Sequence, residues 1–238
     1  MHFLELLRGR QEIKGEHFMV YSSENNIFSK EVSRKAEIYY QRIAYGLGYG
    51  RHSGFWTWDN SVKIFIYHDR DSYLKASGQP EWSQGSADYK NKTISSCEGS
   101  TSLIGSVLPH EIAHLIFKYS MEFKDNVPIW LDEGVAQWEE SDAARHELLT
   151  KAKELYEKDT LLSIKGILRL NIKFIDKNGK RFYFRTVRTK EGALGIVVLS
   201  PDVLINTYYI KSGALVGYLI GFYGNDRFKD LCQRICNN

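Results

Sequence analysis

His110-Glu111-Ile112-Ala113-His114 places two imidazoles one helical turn apart, with a carboxylate beside the first. Residues four apart share a helix face, so both rings can reach one metal ion. Glu111 projects next to them, where it can take a proton from a water activated at that ion. Leu108, Ile112, Leu115 and Ile116 around the motif are apolar, so the helix reads as buried with a few polar groups, the dry setting such a site needs. The five-residue pattern alone arises by chance in many proteins. A third donor makes it more specific, because a catalytic zinc site takes three protein ligands and leaves a position for water. Glu133 lies 19 positions after His114 in Pro128-Ile-Trp-Leu-Asp-Glu-Gly-Val-Ala136, on the next predicted helix. A helix, a turn and an antiparallel helix would bring it back to the histidines.

HExxH, then 18 residues, then Glu within Trp-Leu-x-Glu-Gly-x-Ala resembles the signature of the gluzincin metallopeptidases. More narrowly it resembles their aminopeptidase-like branch and the small peptidase MA-like domains. The resemblance covers roughly Ser61 to Ile235 and fits least well in the hairpin region. It implies one zinc ion held by His110, His114 and Glu133. A second segment, Tyr209-Ile-Lys-Ser-Gly-Ala-Leu-Val-Gly-Tyr-Leu219, resembles the family stretch in which a Tyr precedes a Lys by two positions and a helix then begins. In relatives that Tyr stabilises the oxyanion, a role suited to a phenolic donor. Tyr209 is the candidate, and the adjacent Tyr208 is the alternative, since only one of the two faces the site if the backbone is extended.

The chain departs from the aminopeptidases in one respect. It has no Gly-x-Met-Glu-Asn strand to hold a free amino terminus; the nearest region is Trp82 to Ile94. Asp88 or Glu98 could hold an amine but reads more simply as a solvated loop carboxylate. Endopeptidase or restricted processing activity stays open beside exopeptidase activity. Asp132 is either a support for a ligand histidine or a carboxylate at a helix start.

The resemblance thus implies zinc-dependent hydrolysis of a peptide or protein substrate. The ion acidifies a water and polarises the scissile carbonyl. Glu111 accepts the proton and passes it to the leaving amine. The rival reading is a latent zinc-site scaffold acting as a peptide- or protein-binding module. Glu111, which is not a ligand, argues against that rival. A zinc hydrolase acting on something other than peptides is a third reading, since fold and metal do not fix the substrate.

The elements that would position these residues follow from pattern. His17 to Ser22 and Ser61 to Tyr67 read as strands, and Phe28 to Gly46 as a helix with Val32, Ala36, Tyr39, Tyr40 and Ile43 on one side. A short helix over Arg70 to Ala76 and a short strand over Thr93 to Ser96 follow. Thr101 to Tyr119 is helical, and either starts near Val107 with Pro109 in its first turn or kinks at Pro109. Ile129 to Tyr156 is helical, as two helices meeting near Ser141. Ile172 to Leu199 alternates and contains Lys177-Asn-Gly179, a hairpin signal. Val203 to Gly221 and Asn225 to Cys236 are helical.

The fold class expected is α+β, a thermolysin-like gluzincin catalytic domain forming one unit over residues 1–238. An N-terminal mixed-sheet lobe with the HExxH helix spans about 1–120. A mainly helical C-terminal lobe spans about 121–238, with a small β-hairpin or three-strand insertion near 172–200. Substrate is expected across the cleft between them, along an edge strand for which Thr93 to Ser96 is the candidate.

Bulk composition sets the exclusions. The chain has 238 residues, 43% hydrophobic and 26% charged, enough to bury a real core. A net charge of +3 is too small and dispersed for a nucleic-acid partner. The most apolar stretch, Ala214 to Tyr223, is too short to span a bilayer. The first residues carry charges within their apolar part and do not read as a signal peptide, which leaves room for an exported parent with its leader removed. Cys97, Cys232 and Cys236 form no CxxC pair; Cys232 and Cys236 read as small buried hydrophobes. Trp56, Trp58 and Trp82 read as core residues or cleft walls. His2, His17, His52, His68 and His146 have no ligand spacing.

Overall fold

The computed structural model describes residues 9–23, 27–48, 61–79, 81, 83–88, 90–98, 102–120, 127–170, 183–188 and 192–237. The chain is mixed α+β and divides into two compact units, one of residues 1–124 with 139–141, the other of residues 125–138 with 142–238.

The first unit is built on a five-stranded sheet. Its elements are β1 (Gln11–Lys14), β2 (Phe18–Ser22), α1 (Ile27–Gly46), β3 (Val62–Tyr67), α2 (Arg70–Ser77), β4 (Gly85–Asp88), β5 (Thr93–Cys97) and α3 (Leu108–Ser120). The strand order is β1-β2-β3-β5-β4, with β2, β3 and β5 parallel and the two edges antiparallel. Parallel central strands are covered on both faces, which is why β3 reads Val-Lys-Ile-Phe-Ile-Tyr rather than alternating apolar and polar. Val20, Ile64 and Ile94 pair in one row across β2, β3 and β5, all fully buried. Tyr21 and Phe65 form the neighbouring row, stacked at 5.2 Å, and pack with Tyr67, Tyr73 and Cys97. Helix α1 buries Val32, Ala36, Tyr39, Tyr40 and Ile43, the side expected from spacing, and packs on α3 and β2.

Thr93 to Ser96 is not an edge. β5 lies between β3 and β4, because Gly85–Asp88 adds a further antiparallel strand on its outer side. Gly, Ser, Ala and Asp have little strand propensity, so pattern alone does not mark this strand. It is hydrogen bonding to β5 that holds it. Asp88 accepts from the amides of Lys90 and Asn91 and so closes the β4–β5 turn, the ordinary role of a turn aspartate.

The second unit contains α4 (Ile129–Trp138), α5 (Asp142–Glu157), α6 (Ile164–Arg169), the pair β6 (Tyr183–Arg188) and β7 (Leu194–Leu199), α7 (Pro201–Tyr223) and α8 (Asn225–Asn237). α4 and α5 do part near Ser141. α7 packs on both, and on α8. The hairpin pairs Tyr183 with Leu199 at one end and Arg188 with Leu194 at the other. The Asn178-Gly179 turn signal lies outside the described residues, as do Trp56, Trp58, Trp82, His2 and His52. Among the described residues no helix is long and apolar enough to cross a membrane.

Candidate metal centre

Pro109 shapes the start of the helix that carries the histidines. A proline has no N–H to return to the carbonyl four residues earlier, here Gly105. The chain runs through a π-helical turn, Leu103–Val107, in which the Val107 amide donates to the Ser102 carbonyl at 3.1 Å. Regular α-helix begins at Leu108, so Pro109 sits in the first turn. π turns of this kind occur often at functional sites. The Gly105 carbonyl accepts instead from the amide of Ser141 at 3.1 Å. α3 buries Leu108, Ile112, Leu115, Ile116 and Phe117, which turns His110 and Glu111 toward its less covered side.

The two imidazoles meet. His110 Nε2 and His114 Nε2 lie 3.2 Å apart, with the rings edge to face at 80°. Nitrogens about 2.0–2.1 Å from a tetrahedral ion stand about 3.3–3.4 Å apart, so this separation suits two ligands of one metal. His114 is 5% exposed. The other ring nitrogen of His110, Nδ1, lies 3.1 Å from Glu140 Oε1. Donation from Nδ1 leaves Nε2 with its lone pair free for a metal and sets the ring plane. Ser106 Oγ donates to the second oxygen of the same carboxylate. Glu140 is 7% exposed, so both of its oxygens are committed in a poorly solvated place. A cavity of about 240 Å³ opens here, lined by His110, Glu111, Glu140, Ser106 and Val107 together with Ser83–Gly85 at β4. A Cβ on Gly85 would stand 2.2 Å from Val107 Cγ1, so only glycine lets the edge strand come this close to the π turn.

His110, His114 and Glu133 are a group of side chains that could hold a metal ion. Two imidazoles and a carboxylate are a nitrogen–oxygen donor set that suits zinc and other divalent transition ions alike.

Glu133 stands on α4, whose neighbour is α7. A Cβ on Gly134 would lie 2.7 Å from the Ser212 carbonyl oxygen, so this glycine sets the approach of the two helices. Tyr208 on α7 is 1% exposed, and burial, then the Glu133 carboxylate, push its phenol far above the usual range. It stays a protonated donor at any working pH. Tyr209 is half-buried, its ring 6.2 Å from that of Tyr208. Both tyrosines are inside α7, which starts at Pro201 with Ser200 as its cap and contains the helix expected over Val203 to Gly221. Adjacent helical residues point about 100° apart, so both can serve one side of a helix.

The residues that spacing did not single out are Glu140 and Ser106. Glu140 follows Glu133 by seven positions, just past the end of α4 at Trp138, and it adjoins Glu139, another buried carboxylate at 5% exposure. Two neighbouring acids at the end of an apolar helix are a signal, since buried carboxylates need partners.

The chain matches no protein-family model, and no curated protein matches it.

Proposed function

We propose that this protein is a metal-dependent hydrolase of gluzincin type, most simply a zinc peptidase, with His110, His114 and Glu133 as ligands and Glu111 as general base. The observation that carries the reading is the pair of Nε2 atoms 3.2 Å apart on one face of α3, with Glu111 in the same cavity and Glu140 on the far side of the His110 ring. A site for structure alone has no use for a carboxylate placed beside the ligands and left out of the set.

These three side chains would hold the zinc, which would supply an acidified water and a polarised carbonyl. Glu111 takes the proton of the attacking water and returns it to the leaving amine. Tyr209, or Tyr208 in its place, donates from its phenol to the carbonyl oxygen as negative charge develops there. Glu140 keeps the His110 ring in the tautomer and plane that the role demands.

The test is digestion of an unstructured peptide mixture by the zinc-loaded chain, read by mass spectrometry, beside Glu111→Gln. Cuts made by wild type, and reduced about 10²–10⁴-fold in a Glu111→Gln protein that still binds zinc, are expected. Equal cutting by both removes Glu111 from the mechanism. Zinc uptake with no cutting by wild type would favour the binding-module reading.

A further inference from the structure

We infer that Arg42, on α1, is a positioning residue for His110, acting through the three residues Glu139–Ser141. The inference rests on the reading that His110 binds a metal.

Each of these three residues is tied to a different element of the first unit. The guanidinium Nη2 of Arg42 donates to the backbone carbonyl of Glu139 and stands 3.9 Å from its carboxylate. Glu140 holds His110 Nδ1 and accepts from Ser106. The Ser141 amide donates to the Gly105 carbonyl, the acceptor that Pro109 cannot use. Glu139 and Ser141 flank that carboxylate in the chain. What they do is hold the chain on either side of Glu140.

The mechanics follow from peptide planarity. The Glu139 carbonyl, the Glu140 amide and the Glu140 Cα share one rigid plane. A charged donor on that carbonyl therefore fixes where the Glu140 side chain begins. The Ser141–Gly105 bond fixes the following plane. With both ends set, the Cα–Cβ bond of Glu140 is aimed, and the bonds to His110 and Ser106 hold the carboxylate at its end. Arg42 is itself braced, its guanidinium 5.1 Å from the Tyr39 ring centroid and its side chain only 32% exposed. The Glu139 carboxylate is packed against Gly46, where an added Cβ would stand 3.2 Å from Oε1. An arginine here thus does what a lysine cannot do as well: its planar fork serves a carbonyl and lies near a carboxylate from one position.

A purely architectural Arg42 would stabilise the fold and leave the metal alone. The two roles separate in a double-mutant cycle on the full chain, Arg42→Met with Glu140→Ala. The readouts are zinc affinity, by competition with a chromophoric chelator, and thermal unfolding of the metal-free protein. Arg42→Met is expected to weaken zinc binding about 10-fold, at the low end for groups behind a ligand. The double variant should bind no more weakly than Glu140→Ala alone, because Arg42 acts on the metal only through Glu140. The loss of thermal stability from Arg42→Met should persist in both backgrounds. If Arg42→Met does not fold, Arg42→Gln enters the same cycle with the same expectation. Wild-type affinity in the arginine variant, or losses that multiply in the double variant, overturn the inference. A wild-type chain that takes up no zinc overturns the proposed function instead.

Discussion

His110 and Glu133 are held in place by different means. In the first unit, His110 is set by hydrogen bonds: Glu140 on its ring, Ser106 on Glu140, and backbone bonds on both sides of that carboxylate. In the second, Glu133 sits on a helix placed by close backbone packing, with Gly134 against the Ser212 carbonyl. A polar network fixes direction, because each bond has an angle; it loses its effect when one partner goes. Close packing fixes distance and fails when volume is added. The two regions should therefore respond to opposite kinds of substitution.

After Glu111→Gln, the largest effect expected under the proposed mechanism falls on the tyrosines. Loss of the phenol that serves the carbonyl oxygen should lower kcat about 10²–10³-fold with KM little changed. Tyr208→Phe and Tyr209→Phe, compared under steady-state conditions, identify which ring does this. Tyr209→Phe is expected to be the damaging change, and an effect confined to Tyr208→Phe would give the role to its buried neighbour. Next comes added volume. Gly134→Ala should cost about 1–3 kcal/mol in chemical denaturation, since the new methyl meets backbone that must move. Gly221→Ala on the same α7 supplies the control. Nothing lies within 4 Å of the added Cβ, so it should be neutral or stabilising by up to about 1 kcal/mol. Equal losses at both positions would refute close packing as the means by which α4 is placed.

In the polar region the substitution to make conserves volume and removes charge. Glu140→Gln should weaken zinc about 10-fold while shifting the unfolding midpoint little. An unchanged affinity would mean that the ring is held by packing. The smallest effect concerns Cys232, buried on α8, where burial pushes the thiol up to about 12. Its folded value lies above the unfolded one, so its contribution to stability is complete below about 8.5 and declines as pH rises toward 12. At pH 8 a thiol reagent should leave it unlabelled in the native chain and label it on denaturation. Rapid native labelling would contradict its burial.

The elements were legible where side chains repeat a pattern. The apolar run of β3 and the buried side of α1 follow from local sequence, because burial on a periodic backbone imposes its period on the residues. β4 was not legible, because Gly-Ser-Ala-Asp has no strand pattern and exists as a strand only by pairing with β5. The hairpin followed the same logic. Alternation over Ile172–Leu199 marked a ribbon, and β6 pairs with β7 inside that stretch.

For the site, spacing alone put His110 and His114 on one helix face, since four residues are close to one turn whatever surrounds the helix. It also marked Glu111 and Glu133 as chemical groups. Spacing could not supply Glu140. Its role depends on a carboxylate 30 residues from His110 arriving at Nδ1, and on Arg42, 97 residues from Glu139, arriving at a backbone carbonyl. Hydrogen bonds of that sequence separation have no period to betray them. The type and order of the reactive groups belong to the chain itself, and their aim is decided by contacts that exist only once it has folded.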